Sequence, residues 1–225
     1  MKHLFLLGGH GAIGSAIKSE FEKNGYTVTA PSSKELDLSD SSALASYMKG
    51  LTLPVDAVVF CAGHNDPAQI GQLTSEEIQK TLQINTISLS QIMAALRPQF
   101  EKQHNGYVLA ISSLYGTISR EGRAAYAMSK HALNGLIQTL SLELGPHGVL
   151  CNTLSPGFVF TPMTRKNNSL EMIAALERKI PLGRLADPED IARIAFFLCS
   201  EQNQYLTGQD IIVDGGFMAG GFQHP

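Results

Sequence analysis

Short apolar runs alternate with longer amphipathic segments along nearly the whole chain, and this alternation narrows the possible folds more than any other feature. Runs at residues 3–7, 26–30, 56–61, 107–111, 149–154 and 211–213 have the length and apolar or β-branched content of buried strands. Residues 36–38 offer a very short further one. Residues 12–24, 41–49, 75–100, 124–144 and 188–200 follow helical periodicity instead. The first helix places Ile13, Ala16, Ile17 and Phe21 on one face and stops at Gly25. The last has Asp187 as a cap and Pro188 at its first position. Strands that are apolar on both faces and joined by helices form parallel sheets. The expected fold is therefore α/β, a doubly wound parallel sheet of about seven strands with helices on both faces. A closed barrel would need about 250 residues and eight units. The 225 residues suit a single domain, 1–225, with residues 162–181 as a small substrate lid.

Composition removes several function classes. Lys and Arg number 17 against 20 Asp and Glu, giving a net charge of −3 with no basic stripe, so no nucleic-acid partner is expected. No apolar stretch reaches about 18 residues, so no membrane partner is expected either. The apolar start, from Leu4 to Leu7, is too short for a signal peptide and runs directly into glycines. Cys61, Cys151 and Cys199 are odd in number, far apart and set in apolar runs, which fits buried free thiols and a cytoplasmic location. The seven histidines are scattered, so no metal is expected.

Between the first strand and the first helix stands Gly8-Gly9-His10-Gly11-Ala12-Ile13-Gly14. A glycine turn at that place lets backbone approach a pyrophosphate, while the helix start offers free N–H groups and a partial charge of about +0.5. Gly14 would let the helix pack closely on the strand. The turn points to a Rossmann-type dinucleotide site; the alternative is a tight connection that holds nothing. In such sites an acid about 20 residues further on holds the ribose 2′-hydroxyl of NAD. Here the chain reads Val28-Thr29-Ala30-Pro31-Ser32-Ser33-Lys34. Two hydroxyls and a lysine suit a 2′-phosphate, so NADP is expected, with Ser32, Ser33 and Lys34 at the phosphate. Glu35 or Asp37 folding back onto the ribose would favour NAD instead.

Tyr126-Ala127-Met128-Ser129-Lys130 places a phenol and an ammonium four residues apart on one helical face. A free tyrosine has a pKa of about 10, and a neighbouring cation lowers it. The phenol could then exchange a proton with a substrate oxygen near neutral pH. Ser112-Ser113 closes the preceding strand, at the edge where open parallel sheets bind ligands. Taken singly, the pair reads more readily as a surface contact, and the serines as turn formers. Together they form a candidate site.

These residues resemble the short-chain dehydrogenase/reductase family, in its small single-domain form, from Leu7 to Gly216. The family's Thr-Gly-x-x-x-Gly-x-Gly is divergent here: Leu7 replaces the threonine, Ala12 the middle glycine, and Gly11 is displaced by one. Phe60-Cys61-Ala62-Gly63 stands where the family has Asn-Asn-Ala-Gly. The resemblance implies cofactor contacts from Gly8, His10, Gly11, Ala12, Ile13 and Gly14, and from Asp37 and Leu38 at the adenine. It adds Cys61, Ala62 and Gly63, and Pro156, Gly157, Val159 and Thr161 at the nicotinamide end. It implies a catalytic set of Asn85, Ser113, Tyr126 and Lys130. Ser113 is chosen over Ser112 because it lies thirteen residues before Tyr126. The implied activity is hydride transfer between NADP(H) and a small carbonyl or alcohol substrate. Tyr126 is the general acid/base, Ser113 fixes the substrate oxygen, and Asn85 positions a water. Lys130 holds the nicotinamide ribose and lowers the tyrosine pKa. The family is usually a homotetramer or homodimer, built here on the helices at 75–100 and 124–144.

Substrate identity is expected to lie after Gly63, in residues 114–122 and in residues 162–181. Arg165 and Lys166, with Arg120 and Arg123, could bind an anionic substrate and His64 could line the cleft, but solvated or satisfied loop residues are the favoured reading of each. Two other classes stand beside the reductase. One is a non-catalytic nucleotide sensor or scaffold; the other is a sugar-nucleotide epimerase or dehydratase.

Overall fold

The structure, a computed structural model, describes residues 2–161, Thr164 and residues 169–220. Six strands form one parallel sheet: β1 (His3–Leu7), β2 (Thr27–Thr29), β3 (Ala57–Phe60), β4 (Gly106–Ile111), β5 (Val149–Pro156) and β6 (Asp210–Val213). Their order is β2-β1-β3-β4-β5-β6. The helices are α1 (Ala12–Lys23), α2 (Ser41–Gly50), α3 (Ser75–Leu82), α4 (Ser88–Gln103), α5 (Ala124–Leu144), α6 (Leu170–Arg178) and α7 (Pro188–Leu198).

The central strands are unbroken apolar runs, at residues 4–7, 57–60 and 107–111, because both faces of the sheet are covered there. Phe5, Val58, Phe60, Val108 and Ala110 point to one core with Leu44, Ile92, Phe100 and Leu133 of α2, α4 and α5. Their neighbours Leu4, Leu6, Ala57, Val59, Tyr107 and Leu109 point to the other, against Ile17 and Phe21 of α1 and Ile191 and Ala195 of α7. This is the period-2 alternation of a strand, with both sets apolar.

The doubly wound parallel sheet is as expected, with six strands among the described residues, near the expected seven, while the short strand offered at residues 36–38 does not form. The Glu35 and Leu36 N–H groups both donate to the Ser32 carbonyl, which winds the segment into a turn and seats Leu36 in the core. The helix expected over 75–100 is interrupted. A π turn, Gln83–Ile87, separates α3 from α4. Of the proposed lid, α6 and its flanks are described, whereas Pro162, Met163 and residues 165–168 lie outside the described residues. Among the described residues no helix is long and apolar enough to cross a membrane.

Candidate active site

The strand order reverses direction between β1 and β3, and a doubly wound sheet opens a crevice at the carboxyl ends of such a pair. A cleft of about 340 Å³ lies there, lined by Leu7, Gly8, His10, Gly11, Pro31, Ser33, Leu36, Asp37, Leu38, Cys61, Ala62, Gly63 and Ile84. Nine of the residues anticipated at a dinucleotide therefore share one wall system. Leu7, Pro31, Leu36 and Ile84 join them as apolar wall residues that the sequence did not assign as contacts.

Backbone crowding explains the glycines. Gly8 has φ +82°, and a Cβ on it would lie 2.6 Å from the Ala62 nitrogen. A Cβ on Gly14 would overlap the Gly8 carbonyl oxygen. These two glycines let β1, α1 and the β3 end meet. Gly9 is equally confined, 2.8 Å from the Ala30 side chain, although the motif did not single it out. A Cβ on Gly11 would meet nothing closer than 3.6 Å. Gly11 caps α1 without a side chain, and the first turn holds no acid, so the helix start turns uncompensated N–H groups to the cleft. The cradle fits a pyrophosphate.

At the β2 end, Ser33 and Lys34 are exposed. The Glu35 carboxylate accepts the Ser32 N–H and hydroxyl, each at 2.8 Å. These bonds, with the charge of His10, hold the Glu35 pKa below the usual carboxylate range. The Asp37 carboxylate accepts the Ser39 N–H and hydroxyl at 2.8 and 2.7 Å, which lowers its pKa too.

The other end of the cleft is buried. The π turn carries Asn85 inward, fully buried, where its amide donates to the His64 carbonyl and the Ser129 hydroxyl, each at 2.9 Å. Its oxygen accepts the His64 N–H at 2.7 Å. Lys130 is 2% exposed and donates to the Ile111 carbonyl at 2.8 Å. Its ammonium stands 5.5 Å from the Tyr126 ring centroid. Gly63 closes the group, since a Cβ there would lie 3.9 Å from both the Asn85 oxygen and the Lys130 nitrogen. Ser113 caps a short turn, accepting the Tyr115 N–H at 3.2 Å, and its hydroxyl stands beside the Tyr126 phenol, where it favours the ionised form. Tyr115, which the sequence did not single out, meets Tyr126 edge-on at 6.2 Å.

The expected lowering of the phenol by Lys130 is not what the structure has: burial pushes Tyr126 up to about 12, and the groups that oppose it are Ser113 and the Arg123 charge. Burial pushes Lys130 down to about 8. Cys61 lines the cleft beside them, and burial raises its thiol to about 12. Pro156, Gly157, Val159 and Thr161 run on from the end of β5. Gly157 packs against Asp214, where a Cβ would come within 2.7 Å. Val159 bridges to Ala186, and the Thr161 hydroxyl bonds that of Thr164 at 3.0 Å. Among the described residues no group of three or more His, Cys, Asp or Glu is placed to hold a metal ion.

A glycine cradle at the switch point, opening onto a buried Asn–Ser–Tyr–Lys group, defines a doubly wound protein of the dinucleotide-binding class. The chain belongs to the short-chain dehydrogenase/reductase family: the profile described as enoyl-(acyl carrier protein) reductase matches residues 13–218. The divergent turn from Gly8 to Ala12 falls outside that match. Human (3R)-3-hydroxyacyl-CoA dehydrogenase is 36% identical over 166 residues, 72% of this chain and 62% of the relative. The 3-oxoacyl-[acyl-carrier-protein] reductase FabG of Thermotoga maritima is 34% identical over 164 residues, 73% of this chain and 66% of the relative. A Beutenbergia cavernae protein crystallised with NADP, and assigned as an NAD(P)-dependent gluconate 5-dehydrogenase, superposes with a TM-score of 0.91. It is 28% identical, with 97% of each chain covered.

Proposed function

We propose that this protein is an NAD(P)-dependent oxidoreductase that interconverts a small carbonyl compound and its alcohol, with NADP(H) as the preferred carrier. The observation that carries the reading is the Tyr126 phenol. It stands beside the Ser113 hydroxyl, is faced by the buried Lys130 ammonium, and adjoins the Cys61 wall of a glycine-cradled cleft. The activities of the relatives, a (3R)-3-hydroxyacyl-CoA dehydrogenase and a 3-oxoacyl-[acyl-carrier-protein] reductase, support the carbonyl–alcohol chemistry.

Gly8, Gly11 and the start of α1 would hold the pyrophosphate, Asp37 and Leu38 the adenine, and Ser32, Ser33 and Lys34 a 2′-phosphate. Lys130 would hold the nicotinamide ribose, and Pro156, Gly157, Val159 and Thr161 the nicotinamide end. When bound, the cofactor supplies the hydride chemistry. Ser113 orients the substrate oxygen, and Tyr126 exchanges a proton with it. Lys130, whose ammonium faces the phenol ring at 5.5 Å, would favour the phenolate. The Asn85 side chain spends its hydrogen bonds on His64 and Ser129, so it acts by fixing the shape of the helix break that admits a water. A homodimer or homotetramer is the assembly proposed.

A parallel titration with NADPH and NADH, read by nicotinamide fluorescence, tests this directly. Tighter NADPH binding is expected. An NADH preference would remove the phosphate site and keep the chemistry, whereas no binding of either would return the sensor or scaffold class.

A further inference from the structure

Arg123 carries a charge that no carboxylate of the described residues neutralises. Arg97, Arg184 and Arg193 each meet an acidic side chain. Arg123 instead donates from Nη1 to the neutral oxygen of Asn65 at 2.8 Å. Backbone fixes the same contact. The Ala68 N–H donates to the Gly122 carbonyl at 3.1 Å, and Ala68 and Arg123 form an isolated parallel bridge.

These contacts tie the loop after β3 to the start of α5, where Arg123 is the cap residue one turn ahead of Tyr126. The same two segments supply Gly63, His64, Tyr126 and Lys130. The guanidinium is therefore placed at the site rather than left trailing in solvent, and it is only partly exposed. It has five N–H donors in a rigid fork. Asn65 takes one, and the fork still lacks an anion. Its charge reaches the phenol, where it acts with the Ser113 hydroxyl to favour the ionised form.

We propose that Arg123 anchors an anionic group of the substrate, and that the substrate is a keto acid or the matching hydroxy acid. Its carboxylate would take the fork of Arg123 while its carbonyl oxygen meets Ser113 and Tyr126. A carboxylate is the partner that fits a planar fork bidentately. The anchor leaves the reaction's balance unchanged. The carbonyl carbon gains a hydride from the reduced nicotinamide, the oxygen gains a proton from Tyr126, and the carboxylate keeps its charge. This rests on the oxidoreductase reading above.

The test uses the full chain in complex with NADP+, titrated with pyruvate, acetoacetate and levulinate and with the methyl ester of each. The three acids vary the distance between carbonyl and carboxylate; the esters remove the charge and add one methyl group, whose steric effect persists in R123Q while the charge effect does not. At least one acid is expected to bind about tenfold or more tightly than its ester. R123Q should abolish that preference, R123K should keep part of it, and N65A, which cuts the tether and leaves the charge, should keep most of it. An unchanged NADPH affinity in the three variants reports an intact fold. A wild-type protein with no acid-over-ester preference for any pair, or a preference that survives R123Q, overturns the anchor. A wild-type protein that binds neither NADPH nor NADH overturns the oxidoreductase reading, and the anchor with it.

Discussion

At the Tyr126 end of the cleft, Asn85 is fully buried, Lys130 is 2% exposed, and both are hydrogen-bonded to their surroundings. At the Ser33 end, Ser33, Lys34, Glu35 and Asp37 are exposed, and the carboxylates bond serines two or three residues away in sequence. Burying a polar group costs several kcal/mol unless it is paired. The inner end is therefore fixed by the fold itself, and altering it disturbs stability and chemistry together. The outer end is built from local turns over water, so its contacts can change at little cost. On this contrast, cofactor choice and proton transfer are separable.

The largest expected effect separates them from the inner side. Y126F should lower turnover by about 10²- to 10⁴-fold, the usual worth of a positioned acid/base, while NADPH affinity stays within about threefold. Full turnover by Y126F in a steady-state assay would end the proposed mechanism. Gly14→Val should be nearly as severe by another route. Its side chain would drive into the Gly8 carbonyl, costing about 3 kcal/mol or more. Denaturant unfolding should show the loss, and fluorescence titration should show weakened dinucleotide binding.

A pH experiment sharpens the contrast further. Folded Lys130 titrates at about 8, below the unfolded value of about 10.4. Between those values the unfolded chain holds a proton that the folded chain lacks, so this group's contribution to stability rises with pH. The thiols of Cys61, Cys151 and Cys199 are raised by burial and act in the opposite direction. The useful quantity is therefore the stability of wild type minus that of K130M, which shares those thiols. That difference should grow between pH 7.5 and 10 by as much as roughly 3 kcal/mol. A difference independent of pH would show that Lys130 is not buried as a cation. The smallest effect belongs to the outer end. Lys34→Glu should weaken NADPH binding about tenfold and leave NADH binding within about twofold. Equal losses for the two nucleotides would place Lys34 away from the 2′-phosphate.

What the sequence disclosed follows the same division. Strands buried on both faces announce themselves as unbroken apolar runs, and Ser113, Tyr126 and Lys130 announce themselves by spacing. The π turn stayed hidden because Gln83-Ile84-Asn85-Thr86-Ile87 is ordinary helical composition. Its cause is tertiary, in the bonds from Asn85 to His64 and Ser129. Gly9 and the Asn65–Arg123 tether were invisible for the same reason, since their partners are distant in sequence. The turn that abolishes the expected strand at residues 36–38 was legible. Ser32 and Glu35 have the Ser-x-x-Glu spacing by which a carboxylate returns to a backbone N–H, and the structure has that bond.

The π turn also makes arithmetic matter as much as chemistry. An α-helix turns by about 100° per residue, so α3 and α4 keep their present relation only while the turn between them holds its full count. Removing a single residue from Gln83–Ile87 would restore an even helix and swing Asn85 away from His64, even with every polar side chain of the site left in place. The loop after β3 would lose its link to the helix break, keeping its ties to the start of α5, and Ser129 would lose its amide partner. The number of residues between Ser75 and Ser88 is thus a structural constant of this chain, one that an inventory of side chains would not reveal.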